Sequence, residues 1–138
     1  IMPYATFSTS VKATEKTVWW LLLDKIENPG KYVPNVIRNQ ILERSDAGVI
    51  RKMKTSAIEV TERINIDEQK KEIIFVLVDH PRYVGRVINK IEPSDKKEEV
   101  ILTFTLDWKP KGGKKDTDNL SPVIRKAVLQ TKELAEKK

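Results

Sequence analysis

The sequence predicts a single α+β domain over residues 1–138, in which a curved antiparallel sheet of about seven strands wraps around a long C-terminal helix. Three observations lead to this fold class. The chain has 138 residues, enough for one domain to bury its own core. From residue 34 to residue 108, short runs rich in Ile, Val and Thr alternate with turn clusters, which is typical of a meander. Beyond residue 119, apolar residues recur at helical spacing along about 17 to 20 residues.

The N-terminal part predicts one strand followed by two short helices. Residues 4–12 alternate loosely between apolar and polar side chains, which indicates a strand with one exposed face. Thr14 occupies the N-cap position of a helix that continues over Thr17–Ile26 and ends at Pro29-Gly30. A short helical turn is predicted over Lys31–Val33.

Six strands are predicted in the meander, separated by five turn clusters. These clusters are Ser45–Gly48, Thr55-Ser56, Asp67–Lys70, Asp79–Arg82 and Pro93–Asp95. The strand Ile73–Val78 is apolar at every position, so alternation does not show which side chains face inward. The turns before and after it imply opposite sets of inward-facing side chains, and a β-bulge or a covered outer face would reconcile them.

Matching apolar side chains across two hairpins predicts their registers. With Thr55-Ser56 as a two-residue turn, the pairs are Met53 with Ile58, Arg51 with Val60, and Val49 with Glu62. With Glu92 opposite Glu99, the pairs are Val87 with Phe104, Asn89 with Leu102, and Tyr83 with Trp108. In this second hairpin Thr103, Thr105 and Asp107 face water.

A loop and a helix complete the chain. Lys109–Asp118 is rich in glycine and lysine and predicts a loop. In the helix, Ser121 is the predicted N-cap and Pro122 the first helical residue, while a start one turn earlier at Asp118 is the alternative.

Composition excludes several classes of protein. The sequence has no cysteine, which rules out disulfides and thiolate ligands and favours a reducing compartment, so we expect a cytoplasmic location. Even the longest apolar runs, such as Val18–Leu23, are far shorter than the ~20 residues of a membrane span. The net charge of +6 comes from 26 basic residues interleaved with 20 acidic ones, which predicts a solvated surface and no specific nucleic-acid partner.

Three polar residues fall on the inward face of the predicted sheet: Arg51, Glu62 and Asn89. A buried charge without a partner costs several kcal/mol, so each needs a partner or a wet pocket. The predicted register makes Arg51 and Glu62 diagonal neighbours, close enough for an ion pair. This pair is either structural, or it orients a ligand with Glu62 as candidate acid or base. A register slip that exposes all three is the remaining alternative.

Other candidate chemistry is sparse. His80 is the only histidine and lies beside Pro81 in a predicted turn, which favours a solvated loop residue. With one histidine and no cysteine, we expect no metal and no cofactor. The aromatic residues are predicted to pack in the core and at its rim, and some to line a cavity. The candidates are Trp19, Tyr32, Tyr83 and Trp108.

Local sequence details also resemble a known family. They are Val18-Trp19, Lys25, Pro29, Tyr32-Val33-Pro34, Leu42-Glu43-Arg44, Gly48, Arg51 and Val60-Thr61-Glu62-Arg63. Together with the order of elements, they resemble the START-like, helix-grip superfamily of the birch-pollen allergen and polyketide cyclases, in particular its AtaL-like branch of unknown function. The resemblance implies a hydrophobic cavity between the sheet and the last helix. Its relatives include carriers, ligand sensors and cyclases, so it implies no single reaction.

The leading hypothesis is therefore a protein that binds a small apolar or aromatic molecule, as a carrier or sensor. The second is an enzyme of the cyclase, dehydratase or isomerase kind, with Glu62 as general acid or base and with Arg51 and Asn89 polarising a carbonyl. A nucleic-acid or protein-interaction module ranks third. The sequence sets neither the ligand's identity nor the oligomeric state.

Overall fold

The computed structural model of the chain describes residues 4–113 and 119–137. Its helices are α1 (Glu15–Glu27) and α2 (Ser121–Glu136), with 3-10 turns at Pro29–Lys31 and Lys111–Gly113. Its strands are β1 (Tyr4–Val11), β2 (Val36–Ser45), β3 (Gly48–Thr55), β4 (Glu59–Asp67), β5 (Glu72–Asp79), β6 (Tyr83–Pro93) and β7 (Val100–Pro110).

The seven strands form one antiparallel sheet in the order β1-β7-β6-β5-β4-β3-β2. The C-terminal helix α2 packs against β1, β7 and α1. Its C-terminal end is tied to the end of β1, because the Lys12 backbone N–H donates to Glu136 Oε2 at 2.9 Å. These features confirm the predicted α+β class, with a curved sheet closed by the last helix. None of the helices within the described ranges has the length and apolar character needed to cross a bilayer.

The first helix begins where the sequence predicts. Thr14 is its N-cap, and the Thr14 hydroxyl accepts the backbone N–H of Thr17 at 3.2 Å. The second helical turn is at Pro29–Lys31, so its prediction over Lys31–Val33 is wrong by two residues. The Pro29 carbonyl accepts the N–H groups of Tyr32 and Val33, because the fixed φ of proline suits the first position of such a turn.

Both predicted hairpin registers are wrong by two residues. In the first hairpin the turn is Ser56-Ala57, because the Thr55 hydroxyl accepts the N–H groups of both Ala57 and Ile58. This turn brings Arg51 directly opposite Glu62 rather than diagonal to it. A shift of two residues keeps every side chain on its face, so the inward set stays as predicted.

The last hairpin turns one residue later than predicted. Pro93 pairs with Val100, and Ser94 in the turn donates to the Glu99 carboxylate at 2.6 Å. Because the turn lies one residue later, the register moves so that Asn89 lies opposite Phe104 instead of Leu102.

A β-bulge in strand β5 reconciles the two opposite sets of inward-facing side chains that its flanking turns imply. Thr61 pairs with Asp79 and Glu62 with Leu77, which leaves Val78 as the extra residue. Val78 is 57% exposed, whereas Ile73 and Phe75 are buried on the inner face.

The segment after the meander differs from its prediction as a loop. Lys109 and Pro110 end β7, and Lys111–Gly113 form a 3-10 turn. Residues 114–118, including the alternative helix start at Asp118, lie outside the described residues. Ser121 is not the N-cap, because Leu120 takes that position and the Asn119 side chain accepts the Ser121 N–H at 3.1 Å.

Candidate functional site

A cavity of about 150 Å³ lies between the inner face of the sheet and the two helices. Its lining is mostly apolar, with four polar side chains joined by hydrogen bonds or charge interactions. The lining residues are Lys25, Pro29, Tyr32, Val33, Arg51, Met53, Glu62, Phe75, Val87, Asn89, Phe104, Ile124 and Ala127.

Arg51 and Glu62 form a buried ion pair in the wall of this cavity. The Arg51 Nη2 donates to Glu62 Oε1 at 2.7 Å. The Arg51 Nη1 donates to the backbone carbonyls of Lys25 at 3.3 Å and Ile26 at 3.2 Å. These carbonyls belong to the last turn of α1, where a cation is favoured by the helix dipole. The guanidinium therefore links the end of α1 to β4.

Asn89 projects from β6 into the same cavity. It is fully buried, because it alternates with the outward-facing residues of the strand and lies beside the bulky neighbours Phe104 and Ile73 on β7 and β5. Asn89 Oδ1 accepts a hydrogen bond from Lys25 Nζ. Asn89 Nδ2 has no hydrogen-bond partner within residues 4–113 and 119–137.

Lys25 is the central cation of the cavity. Its Nζ lies 4.1 Å from the centre of the Phe104 ring and 5.0 Å from that of Phe75. Burial, with a smaller effect from the positive charge of Arg51 and against the opposing charge of Glu62, lowers the pKa of Lys25 to about 7. Half of these amines are therefore uncharged near neutral pH.

Lys25 is not among the site residues that the sequence predicts. A signal was present: the buried residues Val18, Leu21 and Leu22 mark one helical face, and Lys25 follows them at the i+3 and i+4 positions. A lysine in an apolar stripe has two interpretations. Either its aliphatic chain packs on the stripe while its amine reaches water, or it places a functional amine in the interior. Only the neighbouring strands, which close over its end, show that the amine lies in the cavity.

The burial of Lys25 predicts a specific dependence of stability on pH. An unfolded lysine has a pKa of about 10.4, so above pH ~7 the unfolded chain binds more protons than the folded one, and the stability of the folded chain rises with pH. We expect Lys25→Met to stabilise the protein by about 2 to 4 kcal/mol below pH ~7. This gain should shrink by up to about 1.4 kcal/mol per pH unit between pH ~7 and ~9. Urea denaturation of the parent and of Lys25→Met across this pH range measures the gain. Parallel curves of stability against pH would mean that the amine is solvated.

Tyr32 is the one sequence-predicted aromatic residue in the lining. Its hydroxyl donates to Asp24 Oδ2 at 2.9 Å, which fixes the ring against the cavity. Burial, together with this hydrogen bond and the negative charge of Asp24, raises the pKa of Tyr32. The phenol therefore stays protonated at neutral pH.

The other three predicted aromatic residues do not line this cavity. Trp19 is buried elsewhere in the core, and Tyr83 stacks against Trp108 with ring centres 5.0 Å apart. Their assignment as ligand contacts stays a prediction without support from the cavity.

His80 is buried rather than solvated, so its prediction as an exposed loop residue is wrong. It is 2% exposed and packs against Tyr83 and Trp108. Its Nδ1 accepts the N–H groups of Arg82 and Tyr83, which fixes the β5–β6 turn. Burial lowers the pKa of His80, with a smaller effect from the charge of Arg82. Within the described part of the chain, no group of three or more acidic or histidine residues could hold a metal ion.

A protein-family comparison matches nearly the whole chain. The family described as acetylaranotin biosynthesis cluster protein L, AtaL, matches residues 3–136. The chain belongs to the AtaL family. No curated protein matches it in sequence. The resemblance seen in the sequence is thereby confirmed.

Solved structures place this AtaL-family chain in the START-like, helix-grip fold. The Zhui aromatase/cyclase from Streptomyces has a TM-score of 0.71 and 17% identity, over 99% of this chain and 89% of that one. A START superfamily protein from Mycobacterium smegmatis has a TM-score of 0.68 and 16% identity, over 94% and 89%. The protein XoxI from Bacillus cereus has a TM-score of 0.71 and 13% identity, over 97% and 96%. At these identities the likeness shows the fold.

Proposed function

We propose that this protein binds one small apolar or aromatic molecule in the cavity between the sheet and α2, as a carrier or sensor. The observation that carries the proposal is the combination of an apolar wall with a connected polar cluster inside the START-like fold. Apolar walls of this kind supply affinity, and a few placed polar groups supply orientation.

The size of the cavity favours a compact ligand. Its volume of about 150 Å³ is comparable to an apolar cavity that accepts a single benzene ring. The rings of Phe75 and Phe104 stand in the wall, so an aromatic ligand has faces and edges to pack against.

Filling the cavity should abolish binding without unfolding the protein. Ala127 lines the cavity from α2 and is only partly buried, so Ala127→Phe places a ring where the ligand ring would lie. We expect the affinity for benzyl alcohol, measured by calorimetry, to fall at least about tenfold, because the apolar contact surface is already occupied.

The matched control is Val123→Phe on the same helix. Val123 is 58% exposed and outside the cavity, so this variant should bind benzyl alcohol as the parent does. Equal binding by the Ala127 variant and the parent would contradict the proposed location of the ligand.

An enzyme of the cyclase, dehydratase or isomerase kind is the second candidate. The observation that favours it is the amine of Lys25, because a base with a pKa near the working pH is suited to proton transfer. In that case the ligand is a substrate, and loss of the proton-transfer group removes turnover while binding persists.

A further inference from the structure

The polar groups that line the cavity have an excess of hydrogen-bond donors. Arg51 Nε and Asn89 Nδ2 are both buried without a partner among the described residues. Lys25 Nζ carries three N–H donors when charged, and Asn89 Oδ1 accepts one of them. A buried donor without an acceptor costs about 1 to 3 kcal/mol, so this arrangement is complete only with an added acceptor.

The charges of the same groups are also unbalanced. Arg51 is paired with Glu62, whereas Lys25 forms no ion pair with any residue that the structure describes. The lining therefore carries one positive charge beyond its negative ones when Lys25 is protonated. The faces of Phe75 and Phe104 compensate this charge only in part.

We infer that the ligand of this cavity is a small carboxylate with a compact aromatic or apolar body, whose oxygens accept from Lys25 and Asn89 while its body fills the apolar lining. The inference rests on the proposed function and names the chemical class of the ligand. An ionised carboxylate brings only hydrogen-bond acceptors and one negative charge. The acceptors match the unpartnered donors of the lining, and the negative charge matches its excess positive charge.

A neutral ligand would match these groups less well. A ketone or an ether satisfies a donor but leaves the charge of Lys25 without a counter-charge, and an alcohol adds another donor. The volume of about 150 Å³ selects a body near the size of one ring over a long acyl chain.

Binding of a carboxylate should be coupled to the protonation of Lys25. Burial holds the pKa of the free amine at about 7, and an adjacent anion would raise it, so the complex takes up a proton above that pH. The other titratable groups facing the cavity are Arg51 from β3, Glu62 from β4 and Tyr32 after α1. The Tyr32 hydroxyl is engaged by Asp24 and the Glu62 carboxylate by Arg51, which leaves Lys25 as the group that takes up the proton.

The experiment compares benzoate with benzyl alcohol by calorimetry, since the two share a ring and differ in charge. We expect the parent protein to bind benzoate about tenfold or more tightly at pH ~6.5, the effect of one charge-assisted hydrogen bond. Its affinity for benzoate should fall by up to about tenfold per pH unit between pH ~7 and the raised pKa of Lys25 in the complex, and level off above it, while that for benzyl alcohol stays constant. Measurements in buffers of different ionisation enthalpy should show proton uptake with benzoate only.

Lys25→Met tests the residue, and Lys16→Met on the exposed face of α1 is the matched control. The first variant should bind benzoate no more tightly than benzyl alcohol, and its ratio of the two affinities should not depend on pH. The control should behave like the parent. Thermal melting of both variants confirms that they are folded.

The outcomes separate this inference from the proposed function. Binding of benzyl alcohol without a preference for benzoate overturns the inference and leaves the proposed function in place. A preference for benzoate that survives in Lys25→Met also overturns it. Absence of binding by both compounds, in the parent at neutral pH, overturns the proposed function together with the inference.

Discussion

Val128→Asp is expected to destabilise the protein by about 4 kcal/mol or more. Val128 is fully buried on the face of α2 that packs against the sheet, in line with Ile124 and Thr131. An aspartate there places a carboxylate among apolar groups without a partner for its charge. Urea denaturation followed by circular dichroism measures the loss, which is comparable to the whole stability of many small domains.

The matched control is Val123→Asp, on the exposed side of the same helix. This substitution should change the free energy of unfolding by less than about 0.5 kcal/mol, as most surface changes do. Similar melting of the Val128 variant and the parent would mean that α2 does not close the core.

Glu62→Gln is expected to lower the free energy of unfolding by roughly 1 to 3 kcal/mol. The glutamine oxygen can still accept from Arg51, but the buried guanidinium loses its counter-charge. Ligand binding should survive in the carrier hypothesis, because the apolar lining supplies most of the affinity. Turnover should vanish, with binding retained, if Glu62 moves a proton. Urea denaturation measures the change in stability, and calorimetry with benzyl alcohol measures ligand binding. An unchanged stability would mean that the ion pair is solvated.

The double variant Arg51→Met with Glu62→Leu tests whether the pair is only structural. Replacing a buried ion pair by apolar residues often restores stability. Here we expect a partial recovery, because the Lys25 carbonyl at the end of α1 loses the donor that Arg51 provides, whereas the Ile26 carbonyl keeps the Asn39 side chain. An unchanged preference between benzoate and benzyl alcohol in this variant would show that the ion pair takes no part in binding.

The sequence by itself determined the class of the fold and the inward faces of most strands. Side chains alternate along a strand whatever its partner, so Arg51, Glu62 and Asn89 could be assigned to the interior before the pairing was known. The errors of two residues in both registers did not alter this result, since a shift of two preserves the face. Thr14 could be identified as a cap because its hydroxyl bonds only three residues ahead.

Only the tertiary structure decided which inward groups meet. Lys25 and Asn89 are 64 residues apart in the chain, and neither local spacing nor alternation relates a helix to a distant strand. His80 was predicted in water because its neighbours indicate a turn, but Tyr83 and Trp108 cover it there. The burial of the Lys25 amine has the same origin. Its charge state is set first by burial against the rings of Phe75 and Phe104 and then by Arg51 and Glu62, which the fold brings around the end of one side chain.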